Sequence, residues 1–158
     1  MPIPDYVREM RAAVGTRRLI LVGASAVIFD EMGQVLLVRR GDTGLWSLPA
    51  GIMDMDEAIA DTVVREVREE TGLDVEPVRL TGLYTNPSLQ NMSYPNGDQV
   101  HVVNATFECR VVGGRLRPDG EETVEVAYFP PNALPRLRAA HLIRITDAVG
   151  NQREAQFR

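Results

Sequence analysis

The chain has 158 residues, 44% hydrophobic and 25% charged, which suits one globular domain with a real core and leaves no room for a second. A net charge of −5 argues against a nucleic-acid partner, and the lone cysteine, Cys109, excludes an intrachain disulfide and reads as a core residue. The start, Met1-Pro2-Ile3-Pro4-Asp5-Tyr6, lacks a basic stretch ahead of an apolar one, and no window is long enough for a bilayer, so the expected setting is cytoplasmic with no membrane partner.

In chain order, Tyr6 to Val14 reads as a short helix within an N-terminal extension, residues 1–17, and Leu19 to Phe29 as a β-branched strand. Asp30-Glu31-Met32-Gly33 makes a turn into Gln34 to Arg40, which predicts a hairpin. Arg39 and Arg40 end that strand, and alternation sends them to opposite faces, so one of the two is placed to meet a phosphate. Trp46 could stack on a base, but Leu45 and Leu48 beside it favour core packing.

After Leu48-Pro49-Ala50-Gly51, a helix is predicted from the apolar stripe Ile59, Ala60, Val63 and Val67, and Gly72 stops it. Glu66, Glu69 and Glu70 share one face of this helix, because positions i, i+3 and i+4 lie side by side. Three crowded carboxylates repel unless a cation neutralises them. A hard divalent ion, Mg²⁺ or Mn²⁺, takes a few carboxylate oxygens and commonly shares substrate phosphates, which points to phosphoanhydride chemistry. Arg65, four residues from both Asp61 and Glu69, can brace the acidic face. Glu57 at the helix start either complements the dipole or joins the metal site. Gly51 lets the backbone come close to an ion or a phosphate.

Val78 to Tyr84, Val100 to Val111 and Val124 to Phe129 read as further strands, the last ended by Pro130-Pro131. Between the first two, Asn86 to Asp98 is an excursion of the kind that sets substrate choice, with an Asn96-Gly97 hairpin turn. Tyr84 and Tyr94 are candidates for base stacking, with packing the simpler account. His141 to Val149 reads as a closing helix, and residues 150–158 as a frayed tail. His101 and His141 are isolated and suggest no site.

The spacing Gly51-x5-Glu57-x7-Arg65-Glu66-Val67-x-Glu69-Glu70-x-Gly72-Leu73 resembles the signature of the Nudix hydrolases, with every fixed position filled. A chance match is on the order of one in ten million. The resemblance implies an α/β (α+β) fold, a mixed β-sheet between helices, and metal-dependent cleavage of a nucleoside diphosphate linked to another group. It implies Glu66, Glu69, Glu70 and the Ala50 carbonyl as metal ligands. The general base is expected at Glu69 or at Glu122, in the turn Gly120-Glu121-Glu122, with a solvated turn as the bland alternative.

Many Nudix proteins carry Gly-Gly where this chain has Ala50-Gly51, and a glycine where it has Asp56. The Pro-Ala-Gly form resembles ADP-ribose pyrophosphatases, as does Pro87, 14 residues past the box. A nucleoside-diphosphate sugar such as ADP-ribose is therefore the leading small-molecule partner. The alternatives are a (d)NTP pyrophosphatase of the 8-oxo-nucleotide type and, from another class, a non-catalytic sensor, which an intact box argues against. ADP-ribose pyrophosphatases commonly have a longer N-terminal dimerisation region; a homodimer is left open.

Overall fold

The computed structural model describes residues 3–158, so what was read into Met1 and Pro2 lies outside the described residues. Its centre is a mixed sheet in the order β4 (Ala50–Ile52), β1 (Leu19–Ile28), β7 (Gln99–Gly114), β5 (Leu73–Tyr84), β9 (Gln156–Phe157), with β6 (Asn91–Ser93) also paired to β7. β1 and β7 run parallel from Leu19 opposite Val100 to Ile28 opposite Cys109. A second sheet holds β3 (Trp46–Ser47), β2 (Val35–Arg40) and β8 (Thr123–Phe129).

Among the described residues, four helices cover these sheets: α1 (Asp5–Val14), α2 (Ile59–Thr71), α3 (Pro87–Gln90) and α4 (Ala139–Val149). Alternation along β1 sends Ala24, Ala26 and Ile28 to one core with Val63 and Val67 of α2, and Val27 to another with Ile145 and Ala148 of α4. The end of β1 is thus buried on both sides, as its unbroken apolar run requires. Val63 and Val67 are fully buried, an anchorage of about 1.5–3 kcal/mol each. This fixes the rotation of α2 and hence the direction of its acidic face. α1 packs Tyr6, Val7 and Met10 on Leu21, Val100 and Val102.

Three expectations are corrected. β1 and β2 are not a hairpin: each belongs to a different sheet, and only Phe29 and Val35 bridge them. Leu36 joins the α2 core while Val35 and Leu37 join the α4 core, so β2 gains more by pairing with β8 than by extending the turn. The tail is not frayed throughout, because β9 adds in parallel to Gly82 and Leu83 of β5, and Thr85 and Asn86 donate to the Arg158 carbonyl. β5 also begins earlier than Val78. Pro77 lacks an N–H, and the strand passes it through an irregularity in register. Cys109 is buried as expected, and burial pushes its thiol up to about 12, so it is inert. Among the described residues, no helix is long and apolar enough to cross a membrane.

Candidate active site

α2 is delivered by β4 and a short loop, and Gly72 ends it in the left-handed conformation (φ 71°), its N–H closing on the Arg68 carbonyl. Within that loop Asp56 itself adopts φ 62°, which an aspartate tolerates better than most residues. Glu57 is not the N-cap; Ala58 holds that position and offers no side-chain bond. Instead the Glu57 carboxylate accepts from Arg65 Nε at 2.8 Å, Arg65 Nη2 at 3.0 Å, Thr62 Oγ1 at 2.8 Å and the Asp54 N–H at 3.0 Å. The Arg65 guanidinium above all holds this carboxyl down at about 2. Arg65 also donates to Glu66 Oε1 at 2.7 Å, to Glu69 Oε2 at 3.3 Å and to the Ile52 carbonyl at 3.1 Å. It therefore braces the acidic face as expected, through Glu57 rather than Asp61.

Glu66 and Glu70 are buried, and Glu69 stands half-exposed at the rim. Glu70 Oε2 accepts the Ala50 N–H at 3.0 Å, and burial, with the Glu66 charge second, pushes its carboxyl up to about 8. Burial raises Glu66 as well. Glu66 Oε2 has no hydrogen-bond partner among the described residues. Among the described residues, no three acidic, histidine or cysteine side chains are drawn around one point, because Glu69 is turned to Arg65. Two buried carboxylates, one with an orphaned oxygen, nevertheless fit a hard divalent cation: their charge costs several kcal/mol unless matched.

Of the two arginines ending β2, Arg39 pairs with Glu125 at 3.1 Å, while Arg40 is held by Asp42 and its charge reaches Glu70 and Tyr94. The half-exposed Tyr94 also feels Arg138. Trp46 packs edge-on against Phe129, centroids 4.8 Å apart, in the core beneath β2 and β3. Glu122 lies in a turn whose N–H groups at Glu121, Glu122 and Thr123 converge on Asp119 Oδ1, and its carbonyl accepts from Gly41 at 2.7 Å. A hollow lined by Arg68, Glu69, Gly72, Arg117, Pro118 and Asp119 joins that turn to the rim of α2. The structure thus gathers Ala50, Arg65, Glu66, Glu70 and Arg40, sets Glu69 and the Glu122 turn at the edge, and takes Arg39 and Trp46 elsewhere.

Sequence reasoning missed a buried polar cluster on the other side of β1. Arg144, Gln90, Ser25, Asn104 and Thr106 are all buried there and linked by hydrogen bonds. The available signal was an arginine between Ile143 and Ile145 in a helix with an apolar inner face.

The NUDIX domain profile matches residues 19–148, which contain every element from β1 to β8 and all of α4 but its last residue. The chain belongs to the Nudix family. An ADP-ribose pyrophosphatase of Methanocaldococcus jannaschii is 35% identical over 129 residues, spanning 78% of this chain and 72% of that one. A candidate 8-oxo-dGTP diphosphatase of Bacillus subtilis is 34% identical over 113 residues, spanning 72% and 68%. Among solved structures, an ADP-ribose pyrophosphatase from Streptococcus suis superposes with a TM-score of 0.69 at 32% identity, covering 87% of this chain and 98% of that one. This Nudix chain is accordingly a hydrolase acting on phosphoanhydride bonds of small nucleotides, in a family that generally uses a divalent metal.

Proposed function

We propose that the chain hydrolyses ADP-ribose, or a closely related nucleoside-diphosphate sugar, to AMP and ribose 5-phosphate with Mg²⁺ or Mn²⁺ held by Glu66, Glu70, Glu69 and the Ala50 carbonyl. The observation that carries the reading is the buried Glu66 and Glu70 pair with its unpartnered Oε2. Support for the substrate comes from the similarity to two ADP-ribose pyrophosphatases and from Pro87, which occupies the first turn of α3 behind the Asn86 cap.

Bound there, the divalent ion supplies positive charge against the phosphate oxygens and acidity for a water. Arg65 keeps Glu57 ionised and Glu66 in one orientation, so the ligand set does not have to reorganise. Arg40 adds a donor for a phosphate oxygen. Glu69 or Glu122 takes the proton from the attacking water; the new O–P bond forms as the bridging P–O bond breaks and its electrons leave on the departing phosphate.

The similarity to a candidate 8-oxo-dGTP diphosphatase favours a second reading, cleavage of an oxidised purine (d)NTP. A panel of ADP-ribose, other nucleoside-diphosphate sugars, NADH, dinucleoside polyphosphates and (d)NTPs, with product identification, tests both. AMP plus ribose 5-phosphate supports the first reading. A nucleoside monophosphate plus pyrophosphate supports the second, and no turnover of any of them overturns both.

A further inference from the structure

Arg144 is a buried cation with no anion. It lies on the inner face of α4 at 4% exposure, and Nη1 donates to Ser25 Oγ at 3.2 Å and Nη2 to Gln90 Oε1 at 2.8 Å, both neutral acceptors. Nε has no partner. Among the described residues no carboxylate pairs with it: Asp147, one turn on, is committed to the Tyr84 hydroxyl and to Arg158. Its one partial compensation is the Tyr84 ring, 5.7 Å from Cζ. Burial draws the guanidinium down to about 10. A methionine would pack on this apolar helix face without the desolvation cost of several kcal/mol that an unpaired charge carries.

Two features say what the charge is for. Nε and Nη2 form one edge of the guanidinium, the fork that grips a phosphate or carboxylate with two parallel bonds. Here half of that fork is empty and the other half holds the amide oxygen of Gln90, the last residue of α3 in the excursion 86–98. The fork lies across β1 from the acidic helix, and one strand pairing links the two sides. Ser25, which accepts from Nη1, is the register partner of Ala50 across one β-bridge, about 5 Å between strands. Ala50 in turn donates to Glu70. Arg40 and Arg138 add their charges to that of Arg144 around His141, and the Arg40 charge also reaches Glu70.

We propose that Arg144 is a specificity-determining receptor for an oxyanion of the substrate, the phosphate turned away from α2, which displaces Gln90 from Nη2 and takes up the free Nε. The hydrolase reading is needed only to call that phosphate part of a substrate; binding itself does not depend on turnover.

The decisive variant is Gln90→Glu, which supplies an internal carboxylate to the fork. It raises the melting temperature, since the buried charge gains a partner, yet it abolishes the stabilisation that inorganic phosphate gives the wild type in excess chelator at constant ionic strength. For the hydrolysed nucleotide it raises KM tenfold or more and changes kcat only a few-fold. Arg144→Met, similar in volume, gives the same loss of phosphate response and the same KM effect, and Arg144→Lys recovers part of both. If phosphate does not stabilise the wild type, or if Gln90→Glu is stabilised while phosphate response and KM stay unchanged, Arg144 is a structural strut and the proposal is wrong. Phosphate binding that depends on Arg144, in a chain that turns over no nucleotide, upholds this inference and sinks the hydrolase mechanism instead.

Discussion

The carboxylate of Glu66 stands where a side chain on Gly51 would begin: a Cβ at residue 51 would collide with Glu66 Oε1 and Cδ. A glycine in the middle of β4 thus leaves the room that the buried acid occupies. Gly51→Ala should push Glu66 out of its place against Arg65 or force β4 away from β1. Destabilisation of about 1–3 kcal/mol is expected from the overpacking alone. A loss on the order of 10²-fold in kcat should accompany it, because a ligand moved by an ångström no longer aligns the reaction. Denaturant melts and steady-state kinetics on the variant check this; unchanged values for both would mean Glu66 is free to move.

The acidic face should separate by burial. Glu66→Gln, Glu69→Gln and Glu70→Gln should each keep the fold and each lose on the order of 10²-fold in kcat. In chelator, Glu70→Gln should be more stable than wild type by about 2 kcal/mol at neutral pH, since a carboxyl pushed up to about 8 must take up a proton on folding, whereas the amide accepts the Ala50 N–H without one. Glu69→Gln, at the rim, should change stability little. Mg²⁺ or Mn²⁺ should raise the wild-type melting temperature, because it binds only the assembled site, and raise that of Glu66→Gln and Glu70→Gln much less. Full turnover in excess chelator would end the metal-dependent reading.

Helix α2 was legible because its chemistry is local. Glu66, Glu69, Glu70 and Gly72 stand within two turns, and helical periodicity alone places them on one face and at the end. What Arg65 holds was only half legible: Glu69 is its neighbour in the periodicity, while Glu57 reaches it from outside the helix through a loop whose shape depends on Asp56 in the left-handed region. The separation of β1 from β2 could not be read, since a turn signal at Gly33 fits a hairpin and a crossing between sheets equally well. Arg144 was hidden for the opposite reason. Its partners Ser25 and Gln90 are distant in sequence and carry no motif, and only the packing of α4 over β1 brings them together.

His141 gives a pH signature. Its Nδ1 accepts the Leu48 N–H at 3.3 Å, and burial, then the charges of Arg144, Arg138 and Arg40, hold its pKa well below 6.5. The native ring stays neutral while the unfolded one protonates near 6.5, so stability is complete above that pH and is lost as the pH falls below it, by at most about 1.4 kcal/mol per unit. His141→Gln keeps an acceptor for Leu48 and removes the titration. Between pH 7.5 and 5.5 it should lose about 1 kcal/mol less stability than wild type by denaturant melts. Parallel losses in the two proteins would show that the ring is not held neutral.

The general base is the remaining choice, and Glu69 and the Glu122 turn border the same hollow, since Asp119, which caps the Glu122 N–H, lines it together with Glu69. A base must come within hydrogen-bond reach of the attacking water only once substrate is seated, which a loop achieves more readily than a helix. Glu122→Gln should therefore lower kcat far more than it alters KM, whereas Glu121→Gln should alter either only a few-fold. A kcat–pH profile distinguishes loss of a base from loss of a contact, because without the base the acidic limb flattens. If Glu121 proves the sensitive residue, the turn keeps its role at a neighbouring position. If neither variant slows turnover, the proton passes to Glu69, whose rim position and tie to Arg65 leave it the one box glutamate exposed to water.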